Sequence, residues 1–491
     1  VFGYSGTALA VGDEHLFVAI DSHRDVGKGT HLDANLTLYR VDKKTGAYAP
    51  FPDGEAFHVV GKHDRSLLPR PRSEGDWIAS GDHNPDWARC SLMGLAYHQG
   101  KLYMSSYLQD RILVIDAEKG ETEGEISIPA PVGLAVDPKG RLLAVSGKQV
   151  MVIETQTGKT EPLISDLEAP VALTTDRQGN IYVSDWAREM CVKVYSPDGK
   201  FLRRIGKRGG RPWVGAWDPN GMLLPSSLAV DRRDRLWVAE KDLTPKRVSV
   251  WSATGEFERE FIGPPFYRNV GTHVNPYDPT QAFVTNCEVQ LDWATGEWHP
   301  VATIWRPTHP MALFGPNRAK NGSYRTIRLD GREFMVSSSS WVIISERKDD
   351  QHQPVAALGH VGAFVHRSQT KAMNHLRGER RLPVPILDEH RTPPQLRDRI
   401  KEPDMWKSYP EETTNFYWAD RNGDALVQEN EMTFFEAPGA EPQRWNFLWA
   451  NPVSGNLTIY PYNLRGDREI IWRVPLKGWT ECGAPLYDPQ N

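Results

Sequence analysis

A chain of 491 residues with 39% hydrophobic and 25% charged residues is long enough for several ordinary domains or for one closed ring of repeats. Lys and Arg number 58 against 63 Asp and Glu, so no basic field exists to hold a phosphate backbone or an anionic membrane surface, and nucleic acid is not an expected partner. No apolar run approaches the ~20 residues that span a bilayer, and the sequence opens on Val1 without a charged and apolar leader, as a mature form or an excised segment would.

Taken in chain order, the first predicted unit uses residues 8–20 and 36–51, the second 92–128, the third 132–164, the fourth 171–206, the fifth 226–263 and the sixth 272–304. In each, an apolar stretch meets an Asp-led turn, a strand-like run follows, and a second alternating pair breaks at a Gly. The copies align on DPKGRLLAVS (137–146), DRQGNIYVSD (176–185) and DRRDRLWVAE (231–240). The later turns fall on Gly120, Gly158, Gly199, Gly255 and Gly296, where short hairpins demand positive φ. β-Branched and aromatic residues such as Ile181, Tyr182, Val183, Val192, Val194 and Tyr195 suit a pleated, half-buried surface. A repeat of roughly 40 residues with four short strands and no helix is the signature of a β-propeller blade. A seventh unit is visible at 324–346 and an eighth is expected from 415–429, with 456–476 finishing it or closing the ring. The expected fold is therefore all-β, one β-propeller domain over 1–491 with seven or eight four-stranded blades.

The copy at 169–206, APVALTTDRQGNIYVSDWAREMCVKVYSPDGKFLRRIG, resembles the NHL repeat, in which an inner strand leads to Asp-x-x-Gly-Asn-x-Tyr-Val-x-Asp and then to an alternating strand and a Gly turn. The likeness is close there, good at 132–164 and 226–263, fair at 8–51 and 92–128, and weak beyond Val270, so it covers about half the chain. The Trp-Asp strand end of WD40 and the paired glycines of Kelch are absent from these units. NHL-like propellers serve as binding scaffolds, lyases and hydrolases, so the resemblance implies architecture and leaves function open.

In a propeller the turns inside each hairpin point to one face, and the second-to-third-strand connections and blade-to-blade links point to the other. Long insertions at 49–90, 207–224, 303–322 and 359–412, with 21–35 inside the first unit, are expected on that second face. They carry Trp77, Trp87, Trp213, Trp217, Trp305 and Trp406 beside Arg70, Arg72, His83, Asp86, Arg211, Asp218, His309 and His375. Flat aromatics beside hydrogen-bonding groups suit the apolar face and hydroxyl edges of a sugar, which makes a glycan or other extended ligand the expected partner. The expected ligand-binding residues are Trp213, Trp217, Trp186, Arg188, Trp305, His309 and Trp341. The opposing reading is that these tryptophans pin long loops onto the ring.

Strand-end charges on that face, Asp110, Arg111, Asp185, Glu240 and Lys241, offer acid and base groups for a rival reading, a carbohydrate lyase or hydrolase. A protein-interaction scaffold is a third. No GxSxG elbow, HExxH pair or Gly-rich phosphate loop nominates a nucleophile or catalytic metal. A metal held by His273, His309, His360, His366 or His375 has no spacing to support it.

DRNGDALVQENE, residues 420–431, resembles the twelve-residue EF-hand calcium loop. Asp420, Asn422 and Asp424 stand at loop positions one, three and five, and Glu431 at twelve. That spacing lets three short oxygen arms converge on a hard cation while Glu431 closes the shell, with the Leu426 carbonyl and Gln428 or water adding ligands. Ala425 replaces the usual glycine at position six. The bland alternative is that DRNGDALVQE only repeats the hairpin turn of DRQGNIYVSD, although Asp424 aligns with Asn180 and Glu431 with Ala187. The expected cofactor is a structural calcium ion, which favours an extracellular or periplasmic location. Cys90, Cys191, Cys287 and Cys482 form no CxxC pair, so their redox state cannot be read.

Overall fold

The computed structural model describes residues 7–22, 33–64, 94–212, 215–240, 245–263, 272–284, 287–304, 323–338, 341–348, 351–360, 414–425, 428–436, 453–465 and 468–488. Among these residues seven antiparallel sheets follow one another along the chain, each built on four consecutive strands, and there is no α-helix. The protein is a β-propeller. The first blade pairs Thr7–Val11, His15–Ser22, Asp33–Asp42 and His58–Asp64 in that order. Later blades span 95–127, 131–164, 170–205, 225–263, 272–303 and 323–360.

The Asp-led turns explain the hairpins. Asp176 Oδ1 accepts the N–H groups of Gln178 and Asn180 at 3.0 and 2.8 Å. Asp137 and Asp231 repeat this two and four residues ahead, so each second strand begins five residues after its Asp, at Leu142, Ile181 and Leu236. In the fourth blade the second and third strands, Ile181–Asp185 and Cys191–Tyr195, are buried throughout, while the outer strand Phe201–Ile205 is largely exposed.

Blades meet through apolar faces. Val132, Val145, Val171, Val183 and Tyr195 join the third blade to the fourth, and Tyr182, Val192, Leu236 and Trp251 join the fourth to the fifth. Each such side chain contributes roughly 1.5–3 kcal/mol on full burial. Inner strands approach so closely that a Cβ on Gly94 would lie 2.3 Å from the Val132 carbonyl oxygen, and one on Gly133 would lie 2.7 Å from that of Val171.

Two boundaries differ from the sequence reading. The segment 49–90 is not one insertion, because the first blade's outer strand, His58–Asp64, lies inside it. Pro50 and Pro52 cannot donate to a ladder, and Arg40 binds the Ala49 and Pro50 carbonyls instead, so pairing resumes only at His58. Among the described residues the expected eighth unit at 415–429 does not start a sheet of its own. Thr414–Ala419 pairs with the seventh blade's outer strand, Gln351–His360, and then with Met432–Glu436, extending that blade to six strands. Phe416, Tyr417 and Trp418 are all buried, so this strand is covered on both faces. Residues of 453–487, among them Val453, Leu457, Ile459, Val474, Ala484 and Tyr487, pack with Ile327, Phe334 and Val342 of the seventh blade.

Antiparallel order gives every blade two ends. At one end are the first-to-second and third-to-fourth-strand turns, mostly two to five residues long. From the other leave the second-to-third connections, the blade-to-blade links 65–94, 206–224 and 304–322, and 361–413, which joins the fourth and fifth strands of the seventh blade instead of linking two blades as the sequence suggested.

Candidate functional site

The end carrying the long links rests on a floor of buried charge. Asp185 and Glu240 close the second strands of the fourth and fifth blades. Asp185 pairs with Lys193 at 2.8 Å and accepts the N–H of Ala169 at 2.6 Å, which fixes the start of the fourth blade's inner strand. Lys193 and Tyr195 also reach Asp166, and burial together with Asp166 pushes the Tyr195 hydroxyl far above its ordinary pKa. Glu240 pairs with Arg211 and, at 2.9 Å, with Arg247, and all three side chains are fully buried. Arg247 continues to Glu260 at 2.5 Å and to the carbonyls of Pro219 and Gly221.

Trp217 is locked into this network. Its Nε1 donates to Glu260 at 3.0 Å, and the Arg211 and Arg247 guanidinium carbons lie 4.4 and 5.6 Å from its ring. Next to it, Gly215–Ala216 pairs with Ala302 and Thr303 on the sixth blade's outer strand. The described residues of the link, 206–212 and 215–224, therefore form a strap that ties to the fifth blade through Arg211 and Trp217 and edges the sixth through Gly215–Ala216. Trp186 is fully buried and donates to the Pro225 carbonyl at 2.8 Å. It belongs to the core and not to an exposed ligand surface, because the turn at 186–190 folds it under the next blade's first strand. Arg188 is exposed and pairs with Glu168 at 2.8 Å.

Trp213, Trp305, His309 and Lys241 lie outside the described residues, as do Trp77, Trp87, Trp406 and His375. Trp341 begins the strand Trp341–Lys348 at the long-link end, and only its backbone is described. Asp110 caps the Ala130 N–H at 2.7 Å, and Arg111 pairs with Glu125. His273 accepts the N–H of Thr326 at 3.0 Å, an interblade contact. Sequence reasoning marked Arg211 and Glu240 but missed Arg247 and Glu260. Their only signal was alternation along two strands whose pairing had to be known first.

The segment 420–431 lies at the opposite end, between two strands that pair with each other. Asp420 accepts the N–H groups of Asn422, Gly423 and Ala425, a pattern two, three and five residues ahead that differs from the Asp-led hairpin turns. The next strand begins at Met432, twelve residues after Asp420 instead of five. Ala425 takes φ +57°, the left-handed conformation that position six of such a loop requires of its usual glycine. Glu431 accepts the N–H groups of Arg421 and Gln428 and the Trp418 indole N–H. Thr480 and Cys482 brace the loop by donating to the Asp420 carbonyl at 3.1 and 3.2 Å.

In donor type these residues fit a hard cation. Asp420 and Glu431 are 1% and 3% exposed, and the partners their carboxylates have among the described residues are these N–H groups and not a Lys or Arg side chain. The Gln428 side-chain oxygen is buried without a donor. Asp424 is exposed and accepts the side-chain amides of Asn422 and Gln428. Among the described residues no three His, Cys or carboxylate groups converge on one point, and Leu426 lies outside them. Cys191, Cys287 and Cys482 form no disulfide with one another, and Cys90 lies outside the described residues.

No protein-family model matches the chain, and no curated protein is similar to it. Among solved structures, a streptogramin B lyase is 12% identical with a TM-score of 0.34, covering 67% of this chain and 89% of its own. A nidogen/laminin complex gives 13% identity and a TM-score of 0.34, with coverage of 58% and 92%. Hydrazine synthase from Kuenenia stuttgartiensis gives 13% identity and a TM-score of 0.29, with coverage of 70% and 94%. At this level the likeness extends to neither activity nor ligand.

Proposed function

We propose that the chain is an extracytoplasmic, NHL-like β-propeller that binds a glycan or another extended ligand on the face formed by its long links. The observation that favours a binding reading over a catalytic one is the spending of two of the three strand-end acids, Asp110 alone being exposed. Glu240 is held between two arginines and Asp185 is held by Lys193 and two N–H groups, all buried. General acid–base work needs a carboxyl group within reach of substrate, and these face inward to hold the strap and the inner strand. Trp217 then lies in the floor with Trp186 in the core below it, and the links, with Trp213, Trp305 and His309, supply the ligand contacts.

Calcium in the loop 420–431 is the second part of the proposal. Two buried carboxylates without a cationic side chain and an amide oxygen without a donor, among the described residues, support it. The ion would stiffen the outer edge of the seventh blade, and a loop with few acidic ligands suits the calcium-rich space outside the cytoplasm.

The test is a glycan array probed with the isolated chain in calcium-containing buffer, followed by product analysis of any polysaccharide bound. Binding without cleavage is the expected result. No bound sugar defeats the glycan reading, and released oligosaccharides convert it to the enzymatic one.

A further inference from the structure

The short-turn end of the sixth blade exposes a tryptophan that its turn does not need. Three third-to-fourth-strand turns share one geometry. Asp42 accepts the N–H groups of Lys44 and Thr45, Asp116 those of Glu118 and Lys119, and Asp292 those of Ala294 and Thr295. In each, the glycine four residues on, Gly46, Gly120 or Gly296, donates back to the Asp carbonyl. The residue after the Asp is Lys43, Ala117 and Trp293 respectively. The turn thus accepts an ammonium, a methyl or an indole, and backbone geometry gives no reason for the largest of them.

Trp293 is 67% exposed, yet its Nε1 donates to the Pro279 carbonyl at 2.8 Å. The ring is held in place with its polar edge used and its π-face open to solvent. On the adjoining first-to-second-strand turn, Tyr277 is 47% exposed. Its hydroxyl accepts the Arg328 N–H, and the Arg328 guanidinium covers one face at 4.8 Å, leaving the other face free of that contact. Trp298 is also exposed, but it stands two residues past its turn glycine, as Tyr48, Phe201 and Phe257 do, so it follows the repeat's own pattern.

Around these rings lie carboxylates with acceptor capacity to spare. Asp292 and Asp278 use Oδ1 for their turns, Asp278 through Thr280, and hydrogen bonds from Thr295 and Thr280 hold both carboxyl groups below the usual range. Both are ionised at neutral pH. Aromatic faces whose polar tips are tied down offer nothing to a hydrogen-bonding base or a peptide backbone. They suit the C–H face of a sugar ring, and the neighbouring carboxylates suit hydroxyl donors and repel anionic sugars.

We propose that the short-turn end of the sixth blade is a carbohydrate platform, on which Trp293 stacks a pyranose of a neutral glycan while Asp292 and Asp278 accept its hydroxyls. The platform stands apart from the long-link face and does not depend on it.

The test is affinity electrophoresis of the full chain through gels containing a mixed-linkage β-glucan, xylan, galactomannan, starch or alginate. At least one neutral polysaccharide should retard the protein. Trp293→Lys, which installs the first blade's residue and so keeps the turn, should weaken that retardation at least tenfold with an unchanged melting temperature. Trp293→Phe should retain most of it. Absence of retardation by every neutral polymer, equal retardation of Trp293→Lys, or preference for alginate overturns the platform. Retardation lost in Trp213→Ala/Trp305→Ala but kept in Trp293→Lys also overturns it and leaves the long-link reading standing.

Discussion

Glu240 and Arg247 form an ion pair at 2.9 Å with both side chains fully buried, and Arg211 completes the group from the strap that ties to the fifth blade. A buried charge group is weak evidence of net stabilisation, yet removing one member leaves its partners charged and without compensation. Glu240→Gln is expected to lower the unfolding free energy by about 3–5 kcal/mol. Chemical denaturation checks this, and Arg247→Met in the same chain should recover part of the loss.

Trp186 separates pinning from binding. Its indole fills the joint beneath the fifth blade's first residue, so Trp186→Ala should cost about 3–5 kcal/mol as a large-to-small core change. At a temperature where the variant remains folded, its affinity for a glycan should equal that of the natural chain. Titration calorimetry below the shifted melting point reads both effects.

His352 gives the protein an acid limit. It is 2% exposed at the joint between the sixth and seventh blades, packed edge-on against Phe283, and its Nδ1 has no partner. Burial first, and the nearby Arg347 second, depress its pKa from 6.5 to about 3. The unfolded chain therefore binds a proton that the folded chain refuses. The His352 contribution is fully present above about pH 6.5 and is lost as pH falls toward 3. Thermal melts should show a falling midpoint over that interval, with a shallower slope in His352→Phe.

Calcium should act on the seventh blade. At a concentration 100-fold above its dissociation constant a bound ion adds about 2.7 kcal/mol, and a chelator should remove that increment. Asp420→Asn should abolish the chelator effect. Ala425→Gly should raise stability, since an L-residue at φ +57° bears about 1–2 kcal/mol of strain, offset in part by the buried methyl group. Differential scanning calorimetry with and without chelator separates these outcomes.

The blades were readable wherever local chemistry repeats. Asp137, Asp176 and Asp231 announce their turns by type and spacing, and Gly120, Gly158 and Gly296 mark the later ones. What could not be read depends on partners distant in sequence. Thr414–Ala419 has the alternation and Asp-led exit of an inner strand, but it joins the edge of the seventh blade, a choice made by the apolar residues of 453–487. Trp186 and Trp217 were legible as aromatic but not as buried or locked, because burial depends on how neighbouring blades pack. Trp293 was passed over because a turn residue draws notice only when equivalent turns are compared in three dimensions.

The most direct measurement is titration calorimetry of an array-identified glycan against the natural chain and against Trp213→Ala/Trp305→Ala, with melting temperatures recorded in parallel. The account predicts at least a tenfold weaker dissociation constant for the variant at an unchanged melting temperature. Equal affinities in the two proteins, or cleavage of the glycan during titration, would contradict it.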